Sequence, residues 1–507
     1  MAAIDKQTMN GSPSQAATID VRSPVTGELI GTTPITTREE VAAAVQRARE
    51  AQPVWQAMGV RERARLMNRW RNILYQDNKQ AMQVIRRETG KNDASAFVEL
   101  AVMDASIDYY VKEAPRVLRP QTRRPLFPLI QRARMYYKPL GVTGFIAPWN
   151  YPFFLAMIDM TAALIAGNTA VIKPSEVTPF SAIYAVELMR RAGIPRDVVQ
   201  VVTGDGTTGA ALVDMVDYIS FTGSAANGKK VAQRATERLI PFSLELGGKD
   251  PVIVLNDANL DAAASGSLRG ALENAGQMCV SVERVYVESG IYDAFVDRVI
   301  SYAQTLKIGS GDGFDIHMGS MTHERELLRA EAHVEDALAK GATLLYGGKR
   351  RPDLGPLFFE PTILINVDHS MKVMCEETFG PILPIMQVRD AEEAIAYAND
   401  SDYGLSATIY TSNFKRGEQL ALRLESGDVS INRPQIIFGT PSLPMGGEKQ
   451  SGFGRRNGRE GLLRFVKTQS IMIDSTLGTL PALTHADPVT LWGFRILRVI
   501  RRFLRFV

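Results

Sequence analysis

Residues 142–173 read VTGFIAPWNYPFFLAMIDMTAALIAGNTAVIK, and this stretch decides the fold. Val142 to Ala147 is apolar and β-prone, and Pro148 stops it. The spacing predicts a helix from about Phe154 to Ala166, closed by Gly167-Asn168. A second strand, Ala170 to Lys173, follows directly. Strand, helix and strand of these lengths make a βαβ unit, and therefore a parallel sheet.

The alternation continues outward from this unit. A helix from about Pro179 to Arg191 ends at Gly193. Val198 to Val202 and Tyr218 to Thr222 are further strands, each followed by glycine and then a helical stretch. After Pro251 the pattern resumes with the strands Val252 to Leu255 and Arg284 to Val287. The chain reads as two α/β lobes that part near Gly247-Gly248. Arg123 to Pro139, with Pro125 and Pro128 ahead of Ala133-Arg134-Met135-Tyr136-Tyr137, stands outside the pattern. Neither an internal repeat nor a low-complexity segment is present.

Length and composition set the class. A chain of 507 residues, 45% hydrophobic and 22% charged, is ordinary for a soluble globular protein of two to four domains or lobes. Two cysteines do not make a disulfide framework, so a reducing, cytoplasmic setting is expected. Met1 to Ala17 is polar, unlike a signal peptide, and no apolar run is long enough to span a bilayer. The net charge of +3 is concentrated: residues 491–507 hold five arginines and no acid. The other 490 residues carry 53 basic against 55 acidic side chains, which argues against nucleic acid as a partner.

Two segments carry the chemistry. Cys279 follows Glu273-Asn274-Ala275-Gly276-Gln277-Met278 and is a candidate nucleophile, with a buried structural thiol as the competing reading. Glu245 stands between Leu244 and Leu246, ahead of Gly247-Gly248, where burial would raise a carboxyl pKa toward neutrality and suit it to act as a base. A third segment, Phe221-Thr222-Gly223-Ser224, is a strand, a glycine turn and a helix start, which favours phosphate at the helix N-terminus. By itself it is a weak signal, because it lacks the three spaced glycines of the usual dinucleotide fingerprint.

Together the Cys279 and Glu245 segments, 34 residues apart, resemble the paired signatures of the NAD(P)-dependent aldehyde dehydrogenase superfamily. Ala147-Pro148-Trp149-Asn150-Tyr151-Pro152, Ile172-Lys173-Pro174-Ser175-Glu176 and Glu376-Glu377-Thr378-Phe379-Gly380-Pro381 resemble further family motifs in the right order. The resemblance spans roughly residues 20–476. It implies an α/β fold with a Rossmann-like cofactor lobe, an α/β catalytic lobe and a protruding oligomerisation β-hairpin. The implied boundaries are a flexible 1–19, a dinucleotide-binding domain of 20–122 and 140–247, and oligomerisation segments 123–139 and 467–476. A catalytic domain of 248–466 and a tail of 477–507 complete the chain.

The resemblance also implies roles. Cys279 is the nucleophile, Glu245 the general base and Asn150 an oxyanion donor. Lys173 and Glu176 hold the adenosine ribose, beside Ser175 and Trp149; Gly223 and Ser224 meet the pyrophosphate; Glu377 and Phe379 meet the nicotinamide ribose and ring. Glu176 favours NAD over NADP, because a carboxylate repels a 2′-phosphate, while the small Ser175 leaves NADP use open. No metal is expected. Asn432 and Pro444-Met445-Gly446-Gly447 fit the later part of the catalytic lobe, whereas Arg456 replaces a glutamate that many members carry. The expected activity is oxidation of an aldehyde to a carboxylic acid by a homodimer or homotetramer.

The substrate is less legible. At helical spacing the five arginines of Leu491 to Val507 share one side, and most of the apolar residues share the other. A basic amphipathic helix of this kind suits an anionic membrane surface, or else packs on the protein. Apolar or fatty aldehydes met at a membrane are therefore one expectation. Succinate semialdehyde is another, with Arg284 or Arg456 anchoring its carboxylate. A non-catalytic structural member is a third.

Overall fold

The strand–helix–strand unit comes first in the chain's central sheet. In the computed structural model Val142–Ile146 and Thr169–Lys173 pair in parallel, with the helix Phe154–Ala166 between them. Every residue of that helix is buried. Asn168 fixes its exit. Its Oδ1 accepts from the Leu140 and Gly141 N–H groups at 2.7 and 3.0 Å, and its Nδ2 donates to the Ala163 and Phe465 carbonyls. The structure describes residues 17–125 and 131–474, with Trp492, Gly493, Arg495, Ile496, Arg498, Val499 and Arg502.

These residues fall into two units, one within 1–118 and 138–467, the other within 119–137 and 468–507. The larger unit holds two main sheets. The six-stranded sheet runs Gly452–Phe453, Phe242–Glu245, Tyr218–Thr222, Val142–Ile146, Thr169–Lys173, Val199–Val201. All its pairs are parallel except that of Gly452–Phe453. The chain grows to one side of Val142–Ile146 and then returns to its other side with Tyr218–Thr222. A crevice opens at the carboxyl ends of the strands on either side of such a switch.

The seven-stranded sheet runs Thr343–Tyr346, Thr362–Ile365, Ile382–Val388, Val282–Glu288, Asp250–Val254, Ser406–Tyr410, Asp428–Ile431. Only its Thr343–Tyr346 edge is antiparallel. The chain passes between the sheets within Leu246 to Lys249. Ahead of both come the helices Arg38–Ala57, Val60–Gln76, Asn78–Thr89 and Asp93–Val117. They bury Trp55 and Trp70 in the same core as the Phe154–Ala166 helix, and the Trp55 indole donates to the Leu164 carbonyl at 2.9 Å.

In the smaller unit Gln121–Arg123 pairs antiparallel with Gln131–Pro139, and Val466–Asp474 joins as the third strand. Residues 126–130, inside the expected hairpin, and 1–16 of the expected flexible 1–19 lie outside the described residues, while Thr18 and Ile19 belong to the strand Thr18–Arg22. So does most of 477–507; the seven described tail positions are helical, with Trp492, Ile496 and Val499 exposed. No helix among the described residues is long and apolar enough to cross a membrane.

Candidate active site

The carboxyl ends of four parallel strands open on one cavity of about 800 Å³. Val142–Ile146 delivers Trp149 and Asn150, and Thr169–Lys173 delivers Lys173, Ser175 and Glu176. Tyr218–Thr222 delivers Gly223 and Ser224, and Phe242–Glu245 delivers Glu245 itself. The other lobe adds Cys279, Glu377 and Phe379. All the catalytic and cofactor residues expected from the sequence thus line a single space.

Cys279 is presented by a strained turn. Asn274, Ala275 and Gly276 take φ values of +53°, +54° and +73°, three consecutive left-handed residues. Such a run persists only where its surroundings over-determine it. Here the Asn274 amide donates to the Asn150 and Gln277 carbonyls at 3.0 Å. Gln277, fully buried, donates to the Asn274 carbonyl and accepts from the Thr322 N–H. A Cβ on Gly276 would lie 2.1 Å from the Gly380 carbonyl oxygen, so the turn is locked against the loop that carries Glu377 and Phe379. The Cys279 side chain is partly exposed. Burial nevertheless pushes its thiol up to about 12; Arg456 opposes this, and the Asp250, Glu245 and Glu377 carboxylates add to it.

Asn150 is buried and spends one amide N–H on the Gln277 carbonyl at 3.0 Å. An amide nitrogen has two N–H donors, so the second remains for a ligand. Glu245 is 4% exposed, and its Oε1 has no hydrogen-bond partner. Burial raises its pKa, while Arg456 and Arg464 pull it back.

Two buried lysine–glutamate pairs hold the surrounding loops. Lys91 Nζ lies 2.6 Å from Glu99, whose other oxygen accepts the Phe153 and Phe154 N–H groups just after Asn150. Lys249 Nζ lies 2.6 Å from Glu283, which accepts the Thr378 and Phe379 N–H groups.

A dinucleotide fits the chemistry of the remaining lining. Ser224 caps the helix Ala225–Glu237 without using its side chain, which leaves a hydroxyl beside free first-turn N–H groups. Lys173, buried, donates to the Gly204 carbonyl at 2.7 Å and pairs with the half-exposed Glu176 at 3.2 Å. Glu377 accepts the Gly248 N–H at 3.1 Å, and burial, with Glu283, pushes its pKa up to about 7. A Cβ on Gly247 would collide with that carboxylate at 2.5 Å, which explains a glycine there. Trp149 and Phe379 meet edge to face at 5.5 Å.

Two expectations are corrected. Neither Arg284 nor Arg456 lines the cavity. Arg284 is buried and spends its guanidinium on the Lys249, Tyr397 and Ala398 carbonyls and the Tyr286 hydroxyl. Arg456 is 1% exposed and paired with Asp159 at 3.0 Å. The cavity also gains residues that sequence reasoning missed: Arg325, Glu326 and Arg329 from the helix Glu324–Ala339, and Lys230 and Arg234 from Ala225–Glu237. On the sequence alone both groups look like solvated helix faces.

Comparison with known proteins identifies the family. The model of the aldehyde dehydrogenase family matches residues 12–471. A Mycobacterium ulcerans (strain Agy99) protein named "putative succinate-semialdehyde dehydrogenase (NADP(+)) 2" is 42% identical over 482 residues, covering 95% of this chain and 93% of that protein. The 4,4'-diapolycopene aldehyde oxidase of Methylomonas sp is 40% identical over 458 residues, covering 88% and 84%. The crystal structure of succinate-semialdehyde dehydrogenase from Burkholderia pseudomallei superposes with a TM-score of 0.86 at 36% identity, covering 90% of this chain and 95% of that one.

Two predictions follow from the Cys279 turn. Gly276→Ala places a methyl group against a backbone carbonyl at a left-handed position, and should cost about 3 kcal/mol in thermal or denaturant unfolding. In the ligand-free protein, alkylation of Cys279 by iodoacetamide, followed by peptide mapping, should accelerate about tenfold per pH unit between roughly pH 7 and 9, because the thiolate is a minor species throughout. A plateau near neutral pH would show a thiol already ionised.

Proposed function

Because the chain belongs to the aldehyde dehydrogenase family, we propose that it oxidises an apolar aldehyde to the carboxylic acid, with Cys279 as nucleophile, Glu245 as general base and Asn150 as oxyanion donor. That it is an oxidoreductase acting on aldehydes follows from the family. The observation that carries the residue roles is the shared cavity: thiol, carboxyl and free amide N–H line one space with the groups suited to a dinucleotide.

The Cys279 thiol passes its proton to solvent water as sulfur bonds to the aldehyde carbon. The oxygen of the resulting thiohemiacetal becomes an oxyanion, and the second Asn150 N–H and the Cys279 backbone N–H donate to it, each worth about 3 kcal/mol. A nicotinamide held by Glu377 and Phe379 would supply the acceptor for the hydride lost from the tetrahedral carbon. A thioester on Cys279 remains. Glu245 takes a proton from water, the water oxygen bonds to the acyl carbon, and the C–S bond breaks to release the acid and restore the thiol.

In this reading Lys173 and Glu176 would hold the adenosine ribose, Ser224 and the first turn of Ala225–Glu237 the pyrophosphate, and Glu377 and Phe379 the nicotinamide end. Glu176 favours a free 2′-hydroxyl, and so NAD. Lys230 and Arg234 add positive charge to the same lining, and the Mycobacterium relative is named for NADP, so we assign use of both.

The charge around Cys279 supports an apolar substrate. The cations of the lining, Lys173, Lys230, Arg234, Arg325 and Arg329, come from none of the segments that carry Cys279, Glu245 or Asn150. Arg329 pairs with Glu326 at 2.8 Å, and on the thiol Arg456 acts against Asp250, Glu245 and Glu377. A carboxylate-bearing aldehyde would meet three carboxyls there and a single guanidinium, one that is already paired with Asp159 and does not line the cavity. Succinate semialdehyde remains the second reading, on the names of the relatives. We further place the reaction in the cytoplasm, next to a membrane. The described tail residues set Trp492, Ile496 and Val499 beside Arg495, Arg498 and Arg502, an exposed apolar and basic surface suited to anionic lipid. The three-stranded sheet, with Ile471, Met472 and Ile473 exposed on one strand, is where we propose that copies pair into a dimer or tetramer.

With either NAD or NADP, decanal should exceed succinate semialdehyde in kcat/KM by about tenfold or more, the worth of one unfavourable charge contact. The reverse order would select the second reading. Cys279→Ser should lower turnover by at least about a thousandfold; wild-type rates would refute covalent chemistry and leave a structural role. In flotation with anionic vesicles, the full chain should rise with the lipid and a chain ending at Pro488 should not. Equal partitioning would remove the membrane from the account.

A further inference from the structure

The buried cluster behind Glu245 has more positive than negative charge. Asp159, on the helix Phe154–Ala166, faces two guanidinium groups: Arg456 Nη2 at 3.0 Å and Arg464. All three side chains are buried or nearly so. Asp159 also accepts the Ser220 hydroxyl at 2.9 Å, so its oxygens are fully engaged. Two cations against one anion leave about one positive charge unmatched in a region of low polarity, where an isolated charge is costly.

Glu245 is the buried carboxyl placed to match it. Arg456 Nη2 also donates to Thr222 Oγ1 at 3.0 Å, and Thr222 stands directly across the strand pair from Glu245. The Arg456 backbone is fixed by two hydrogen bonds to Met445. Glu245 Oε1 is buried without a hydrogen-bond partner, so it meets this charge through space, while the Glu245 side chain lines the cavity.

We propose that Arg456 is a positioning residue that keeps Glu245 ionised, by supplying the buried positive charge that Asp159 leaves unmatched. This rests on the reading of Glu245 as the base that drives water onto the thioester. The groups facing Glu245 agree in sign. Burial drives its pKa up; Arg456 first, then Arg464 and Arg455, hold it down, and Asp159 opposes them. Asp428 and Cys279 also feel Glu245, and both are pushed up, in each case chiefly by burial. A buried carboxyl without the arginines would take up a proton near neutral pH and lose its function as a base.

The test is the pH profile of steady-state turnover, read beside the pre-steady-state burst of reduced cofactor, which reports the steps before the thioester is hydrolysed. In R456M the acid limb should move up by at least about one pH unit, so that turnover falls about tenfold on the acid side of the profile and recovers at higher pH. In R456K the limb should stay in place. In D159N, which raises the unmatched charge, it should move down, and this variant decides the matter if R456M does not fold. The double variant D159N/R456M, which leaves Arg464 alone, should return the limb toward its original position. A limb unmoved in both R456M and D159N, at normal or uniformly reduced rates, overturns the proposal. The base reading is judged separately by E245Q: undiminished turnover there would sink Glu245 as base, whereas lost turnover with the burst retained upholds it whatever the arginine variants do.

Discussion

The ladder between Phe242–Glu245 and Tyr218–Thr222 is the constraint on which the site depends. Pairing Thr222 with Glu245 sets the proposed base beside the residue that receives the Arg456 guanidinium. One step further, the Gly223 N–H donates to the Glu245 carbonyl at 3.0 Å, so the turn proposed to hold phosphate starts from the same rung. A slip of one residue would turn Glu245 to the other face of the sheet and separate it from both. Gly452–Phe453 then pairs with Leu244 and Glu245 from the far side, which leaves the glutamate backbone no freedom. Base, turn and compensating charge are three readings of one strand register.

Around that ladder, rigidity is obtained with buried ions. The Lys91–Glu99 and Lys249–Glu283 pairs each use the glutamate twice, once on the lysine and once on two consecutive backbone N–H groups. One clamps the loop after Asn150, the other the loop through Phe379. Lys91 also lies 3.6 Å from the centre of the Tyr151 ring. Buried pairs of this kind contribute little net stability, because desolvation offsets the attraction, but they fix geometry. That suits loops whose spacing from Cys279 must be held to a fraction of an ångström.

Local pattern made much of the fold readable. The helix Phe154–Ala166 has the bounds its apolar run suggests, and the strands around it differ from expectation by a residue or two. The turn residues and the lone cysteine pointed to the cavity for the same reason: each has a short-range chemical signature. What remained hidden was long-range. Pro53 and Pro115 lie inside helices, although proline by itself breaks a helix. Asp159 and Arg456 are 297 residues apart, and nothing in either segment announces the other. Arg284 looked like a substrate anchor because its charge was visible and the backbone carbonyls that absorb it were not.

Burial pushes the Cys279 thiol up, and this has a consequence apart from its proposed role. Peroxide attacks the thiolate, so a sulfur kept protonated is slow to form a sulfenic acid between turnovers. Once oxidised it would have little recourse, since Ser281 follows where a resolving cysteine could stand and Cys375, the other thiol, does not line the cavity. An enzyme built this way withstands oxidant by being unreactive at rest, and it has no disulfide to fall back on when that protection fails.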